Sequence, residues 1–407
     1  MQGKATLLWW PTRRRINVLT NHFRTTLQQL TDQSVRRSLS PLESATGPIV
    51  SHAGRTVILL SSNDYLGLAT HPEVVQAAIE ATERYGTGSG ASRLVSGTLP
   101  PHTSLEAALA KFKGTDASLV FGAGYLANVG VIPTLIDRGG LIIADRLCHA
   151  SLIDGCRLSR ADFRVFRHGD CAHLETLLRR RASHRSTLII TEGLFSMDGD
   201  LAPLSDLVEL AERYDAMLYV DDAHGTGIMG ATGRGTIEQF DLEGRIPFHM
   251  GTLSKALGSY GAYVVGSNDC VQYLLNVARP FIFTTSLPPA IAAAASAAIT
   301  VIEREPERRA RLWANRHYLF NGLQNQGFRL TPTVSPILPV LIGDAAKASA
   351  FADRLLAHGV YATAIRPPTV PDDTSRIRFT VTAQHTTDQL DEALQAVKLA
   401  GRETGLL

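Results

Sequence analysis

The run Leu218-Tyr219-Val220-Asp221-Asp222-Ala223-His224-Gly225 takes an apolar stretch abruptly into two carboxylates and a histidine. Farther on, Gly251-Thr252-Leu253-Ser254-Lys255-Ala256-Leu257-Gly258 follows a second apolar run, 246–250, with hydroxyls and a lysine among glycines. Short apolar runs of this kind read as buried strands of a parallel sheet. In such sheets ligands bind beyond the carboxyl ends of the strands, where Asp221, His224 and Lys255 fall. Taken singly, each segment has an ordinary explanation: a lysine among glycines is a solvated loop residue, and Asp-Asp-Ala-His caps a helix. Together, in this order and both at strand ends, they point to one site. A lysine for a Schiff base and an acid for a pyridinium nitrogen are what pyridoxal phosphate requires of a protein.

Working outward, strands over 117–121, 141–144, 163–166, 188–191 and 217–220 alternate with helices over 125–135, 150–158, 172–181 and 204–214. This alternation predicts an α/β fold, a mainly parallel sheet flanked by helices. Upstream, Val18, Phe23, Leu27 and Leu30 recur near the helical period and predict a helix over 17–38. A strand over 57–60 and a helix over 72–84, opened by Pro72, follow. Thr103 and Glu106 read as the capping box of a helix to 113. Beyond Ser286 the texture changes. An alanine-rich helix after Pro288-Pro289, a charged helix over 305–326 and strands over 334–342 and 377–381 suggest a smaller α+β unit. Its last helix shows Leu390, Ala393, Leu394 and Val397 on one face. The expected division is a tail, 1–16; a helix and arm, 17–55; a large cofactor-binding domain, 56–290; and a linking helix with a small C-terminal domain, 291–407.

The 407 residues are 44% hydrophobic and 19% charged, with net charge +2. That composition fits a globular protein, and the near-zero charge argues against nucleic-acid or membrane partners. No apolar run is long enough to span a bilayer. Cys148, Cys156, Cys171 and Cys270 show no C-x-x-C spacing, so they read as thiols in the reducing cytoplasm, and no metal site is expected. Residues 1–31 lack any acid, which resembles a transit-segment composition, but the stretch is not serine-rich and has no secretory core. Trp9-Trp10-Pro11 reads instead as part of a tail. The loop Gly86-Thr87-Gly88-Ser89-Gly90-Ala91-Ser92-Arg93 lacks the lysine of a phosphate loop and follows a helix. Its glycines permit close approach of a ligand or an adjacent subunit.

The cofactor's other needs find candidates at further strand ends. Gly122-Ala123-Gly124-Tyr125 stands between strand and helix, where backbone N–H groups attract a phosphate. Thr252 and Ser254 offer hydroxyl donors. His149 follows a strand end and offers a flat ring. Asp221 stays ionised beside a protonated pyridine, and His224 and Ser196 can reach a phenolic oxygen. Lys255, freed by a substrate amine, serves as base and then as acid.

These residues belong to a longer series: SSNDYLGL (61–68), GSGASRLVSGT (88–98), FGAGYLAN (121–128), TEGLFSMDGD (191–200), VDDAHG (220–225), TLSK (252–255) and FTTSLPP (283–289). In that order they resemble the α-oxoamine synthases, pyridoxal-phosphate enzymes of fold type I, over 17–400. The resemblance implies a C-acyltransferase with its Schiff-base lysine at Lys255, its ring-nitrogen acid at Asp221 and its stacking histidine at His149. It implies cofactor contacts at Gly124, Tyr125, Ser196, His224, Thr252 and Ser254. It places the amino-acid carboxylate on Arg378, with further substrate contacts at His149, Thr369 and Arg37, Arg36 being the neighbouring alternative. Thr285 and Ser286 match a segment that reaches the partner's phosphate, implying a homodimer with shared sites. IRPPTVP (365–371) most resembles the branch serving biotin synthesis, which joins L-alanine to a pimeloyl thioester on coenzyme A or a carrier protein. The alternatives are branches using glycine or serine with other thioesters, and a pyridoxal-phosphate aminotransferase.

Overall fold

The computed structural model describes residues 13–181 and 184–407. A seven-stranded sheet forms its centre, in the order Ala117–Phe121, Ala262–Gly266, Phe248–Thr252, Met217–Asp221, Thr187–Glu192, Leu141–Asp145, Asp162–Phe166. Every neighbouring pair is parallel except those made by Ala262–Gly266, which runs antiparallel to both its neighbours. The expected strands are present; Ala262–Gly266, which returns directly after the lysine loop, is an addition to them.

Strand alternation divides the core in two. Leu218 and Val220 face one side with Ile189 and Ile143, against Leu204 and Leu207 of the helix Leu204–Arg213. Tyr219 faces the other with Leu188, Ile190 and Ile142, against Ala127 and Val131 of the helix Gly124–Leu135. Each fully buried aliphatic side chain contributes roughly 1.5–3 kcal/mol relative to exposure. The same alternation puts Asp221 on the side of Tyr219, and so beneath the helix Gly124–Leu135.

Two smaller sheets close the site from the other direction. One orders Ile337–Gly343, Ser375–Thr380 and Ala364–Ile365 as antiparallel strands, with helices Ala345–Ala357 and Thr387–Glu403 packed nearby. The other joins Ile49–His52, Arg55–Leu59 and Val360–Tyr361. The chain leaves Arg55–Leu59 into residues 61–68, and the N–H of Thr380 donates to the carbonyl of Leu60 at 2.9 Å, tying that segment to the strand bearing Arg378.

Several boundaries differ from expectation. The first helix is Arg13–Asp32, with Phe23 and Leu27 exposed on this single chain. The tail residues 1–12 lie outside the described residues. The expected capping box is absent: the helix Pro100–Lys113 starts three residues before Thr103, because Pro100-Pro101 suits the first helical turn. Glu106 instead accepts both terminal nitrogens of Arg93, at 2.8 and 2.9 Å. Among the described residues no helix is long and apolar enough to cross a membrane.

Candidate active site

A cavity of about 460 Å³ opens where the parallel strands end, within the range of small-molecule sites. Gly124, Tyr125, His149, Ser196, Asp221, His224, Thr252, Ser254, Lys255 and Arg378 all line it. The lining residues from Gly124 to Lys255 meet because their segments sit at strand ends along one edge of the large sheet, and Arg378 joins them from a strand of a smaller sheet.

Asp221 closes the strand Met217–Asp221. Its Oδ1 accepts from the N–H of Ala223 at 3.0 Å and its Oδ2 from Nδ2 of Asn128 at 2.8 Å. Asn128 also donates to Oγ of Ser151 at 2.9 Å and accepts from the hydroxyl of Tyr219 at 3.0 Å, so its amide orientation is determined. Nδ1 of His149 lies 2.7 Å from Oγ of Ser151 and accepts from the N–H of Ser151 at 3.3 Å. Burial lowers the pKa of this imidazole, against the pull of Asp221. A neutral ring with Nδ1 accepting carries its proton on Nε2. The N–H of His149 donates to Glu192 at 2.6 Å, locking the turn.

Lys255 follows the strand Phe248–Thr252 in a turn that ends at Gly258, where φ is +60°. A Cβ at Gly258 would collide with the backbone of Leu68 and Ala69, so the turn needs glycine. Among the described residues, no hydrogen bond or ion pair holds the Lys255 amine. Burial lowers its pKa, while Asp221 and Glu192 oppose that shift and Arg378 reinforces it. Thr252 and Ser254, expected to offer hydroxyls, spend them here on each other at 2.7 Å and, from Thr252, on the carbonyl of Gly261 at 2.9 Å.

Arg378 is 7% exposed and reaches the cavity from the small sheet. Nε donates to the carbonyl of Ser196 at 2.6 Å, Nη1 to Oδ1 of Asn63 at 3.1 Å and Nη2 to the hydroxyl of Tyr65 at 3.2 Å. It has no carboxylate partner among the described residues. The Tyr65 hydroxyl lies 2.8 Å from Nδ1 of His224. Burial, then the charges of Lys255 and Arg378, lowers the pKa of His224 far below its ordinary value.

Four expected residues lie outside the cavity wall. Arg37 and Thr369 meet at 3.4 Å on the exposed surface, whereas Arg36 turns back to Thr31. Thr285 and Ser286 line a separate small pocket with Gly122 and Phe281. There Ser92 bridges Thr285, and the N–H of Ser286 donates to the carbonyl of Ala91 at 2.9 Å. Conversely, Asn63, Asn128, Ser151 and Glu192 line the cavity without having been singled out. Glu192 carried a usable signal, since it ends an apolar strand as Asp221 does. Asn128 is one helical turn beyond Gly124, on the same helix face.

The donors themselves test whether pyridoxal phosphate fits. Asp221 is a buried carboxylate with two hydrogen-bond donors and no cation within ion-pair distance among the described residues. Lys255 is an unpaired amine opening into the same cavity, and the N-terminus of the helix Gly124–Leu135 forms part of its wall. An acid awaiting a cation, a free amine and an anion-seeking helix end are the three seats the cofactor needs.

Comparison with known proteins agrees with this geometry. The family described as aminotransferase class I and II matches residues 55–397. The 8-amino-7-oxononanoate synthase of Geobacter sulfurreducens is 51% identical over 384 residues, covering 94% of this chain and 98% of the relative. A serine palmitoyltransferase variant from S. paucimobilis, solved with a bound PLP–myriocin aldimine, superposes with a TM-score of 0.91 at 36% identity, covering 96% of this chain and 99% of that one. The 8-amino-7-oxononanoate synthase of Francisella tularensis superposes with a TM-score of 0.74 at 29% identity, covering 85% and 98%.

Proposed function

The chain belongs to the class I and II aminotransferase family and, within it, to the α-oxoamine synthases, and on that footing we propose that it condenses L-alanine with a pimeloyl thioester. The products are 8-amino-7-oxononanoate, carbon dioxide and the free thiol carrier. The observation that carries this reading is the pairing of Lys255 and Arg378 in one cavity: a free amine beside a buried guanidinium that lacks an acid. An amino acid supplies the missing carboxylate. The identity of 51% to an 8-amino-7-oxononanoate synthase, against 36% to a serine palmitoyltransferase, favours alanine and a pimeloyl group over serine and a longer chain.

Pyridoxal phosphate, bound here, supplies an electrophilic aldehyde and a ring that takes up electrons from the substrate α-carbon. Lys255 holds the cofactor and, once displaced, takes the α-proton of alanine at Nζ, a task helped by its lowered pKa. Asp221 holds the proton on the ring nitrogen, kept in place by Asn128 and the N–H of Ala223. His149 offers a flat neutral ring, fixed by Ser151. His224 and Ser196 would face the phenolic oxygen, and Gly124, Tyr125, Thr252 and Ser254 would hold the phosphate. Arg378 grips the alanine carboxylate and so aligns the bond that breaks as carbon dioxide leaves. Lys255 then returns a proton to the α-carbon.

Thr285 and Ser286 act on the phosphate of a second copy, and Arg37 with Thr369 meets the acyl substrate at the rim. Phe283 at 69%, Leu94 at 50% and Val95 at 79% exposure flank the Thr285 segment, an apolar surface suited to a homodimer. The deciding experiment offers alanine, glycine and serine with acetyl, succinyl, pimeloyl and palmitoyl thioesters and identifies the amino ketone. Product from alanine with pimeloyl thioester alone, or in large excess, supports the proposal; a preference for serine with palmitoyl thioester overturns it.

A further inference from the structure

Tyr65 plays no part in the assignments above, yet it is fully buried and its hydroxyl stands between two groups that do. It accepts from Nη2 of Arg378 at 3.2 Å and lies 2.8 Å from Nδ1 of His224 and 3.3 Å from Oδ1 of Asn63. A guanidinium can only donate, so the single phenolic hydrogen is free for another partner. Oδ1 of Asn63 already accepts from Nη1 of Arg378. The shorter contact, and the one lacking another donor, is Nδ1 of His224. If Nδ1 accepts, the neutral imidazole carries its hydrogen on Nε2, the nitrogen left to face the cavity that His224 lines.

We propose that Tyr65 is a positioning residue for this reaction: its hydroxyl fixes His224 as the Nε2–H tautomer and links that imidazole to Arg378, so that filling the carboxylate seat is felt at the histidine. The proposal rests on the roles assigned to Arg378 and His224 above. Arg378 donates to Tyr65, Tyr65 to Nδ1, and Nε2–H outward; a carboxylate drawing on Arg378 changes the polarity of the whole series. The phenol ring meanwhile packs in the core, so removing only its oxygen leaves the packing in place.

The test uses the cofactor-loaded protein and L-alanine alone, without thioester. The wild type is expected to change its visible spectrum saturably with L-alanine; absence of that response defeats the site assignment itself. Given that response, Tyr65→Phe is expected to bind cofactor but to need about tenfold more L-alanine. The pH midpoint of its visible band should also rise by about one unit, because His224 no longer presents a fixed donor. A Tyr65→Phe protein with wild-type alanine affinity and midpoint overturns the proposal alone. Should that variant not fold, histidine ¹⁵N spectra of the wild type decide: Nε2–H at His224 supports the proposal and Nδ1–H overturns it.

Discussion

Glu192 and Asp221 are register partners on adjacent parallel strands, so two carboxyl groups open side by side into one cavity. They cannot both carry charge cheaply. Burial and the charge of Asp221 push the Glu192 carboxyl well above the ordinary range, although the N–H of His149 and the Lys255 amine pull against this.

The shift disfavours charge on Glu192, so Glu192→Gln should stay within about tenfold of wild-type turnover, whereas Asp221→Asn should lose at least about a thousandfold. The sign of the stability effect follows from linkage. A buried acid whose pKa is raised costs stability as pH climbs from its unfolded value, about 4.3, toward its folded one. The Tm advantage of Glu192→Gln should widen as pH rises from about 4 to 8. A flat difference, with activity lost, would mean that the glutamate is ionised and used.

His168 joins two active-site loops: its ring nitrogens donate to Asp145 at 2.9 Å and Asp200 at 2.8 Å. Burial opposes its charge, but the two carboxylates prevail and push the pKa up to about 10. Stability from this clamp is complete below the unfolded pKa, about 6.5, and is lost as pH rises through the folded value. Thermal melts of His168→Asn should thus lose less stability between about pH 7 and 10 than the wild type, the difference being the release of one proton. Parallel curves would refute the clamp.

Lys113 and Asp222 form an ion pair at 3.2 Å, with side chains 1% and 0% exposed. Thr236 and the carbonyl of Arg234 complete the cluster. Lys113→Met leaves Asp222 buried without a cation and should cost about 3–5 kcal/mol in urea denaturation. A loss below about 1 kcal/mol would show that Thr236 alone satisfies the acid.

Arg378→Lys keeps the charge but cannot make a fork or the three contacts seen here. The KM for alanine should rise at least about tenfold, with a smaller effect on the thioester KM. Equal effects on both would remove Arg378 from carboxylate recognition.

The strand ends were legible because an apolar run stopping at Asp221, or before Lys255, leaves few other places for those groups. Local patterns failed where a second segment set the outcome. Glu106 looked like a helix cap but is claimed by Arg93, thirteen positions earlier. Ala262–Gly266 is antiparallel, so it breaks the strand–helix alternation that identifies its neighbours. Tyr65 and Asn63 gain meaning only beside Arg378, which a different sheet supplies. Thr285 and Ser286 fit the family motif, yet their own chain places them against Ala91 and Ser92, away from the cavity.

On this reading one amine, Lys255, holds the cofactor. The chain has six lysines: Lys4, Lys111, Lys113, Lys255, Lys347 and Lys398. Loading the protein with pyridoxal phosphate, reducing with borohydride and mapping the peptides tests the claim directly. Stoichiometric label is expected on Lys255, and none in Lys255→Ala. Label on another lysine, or none on Lys255, would contradict it.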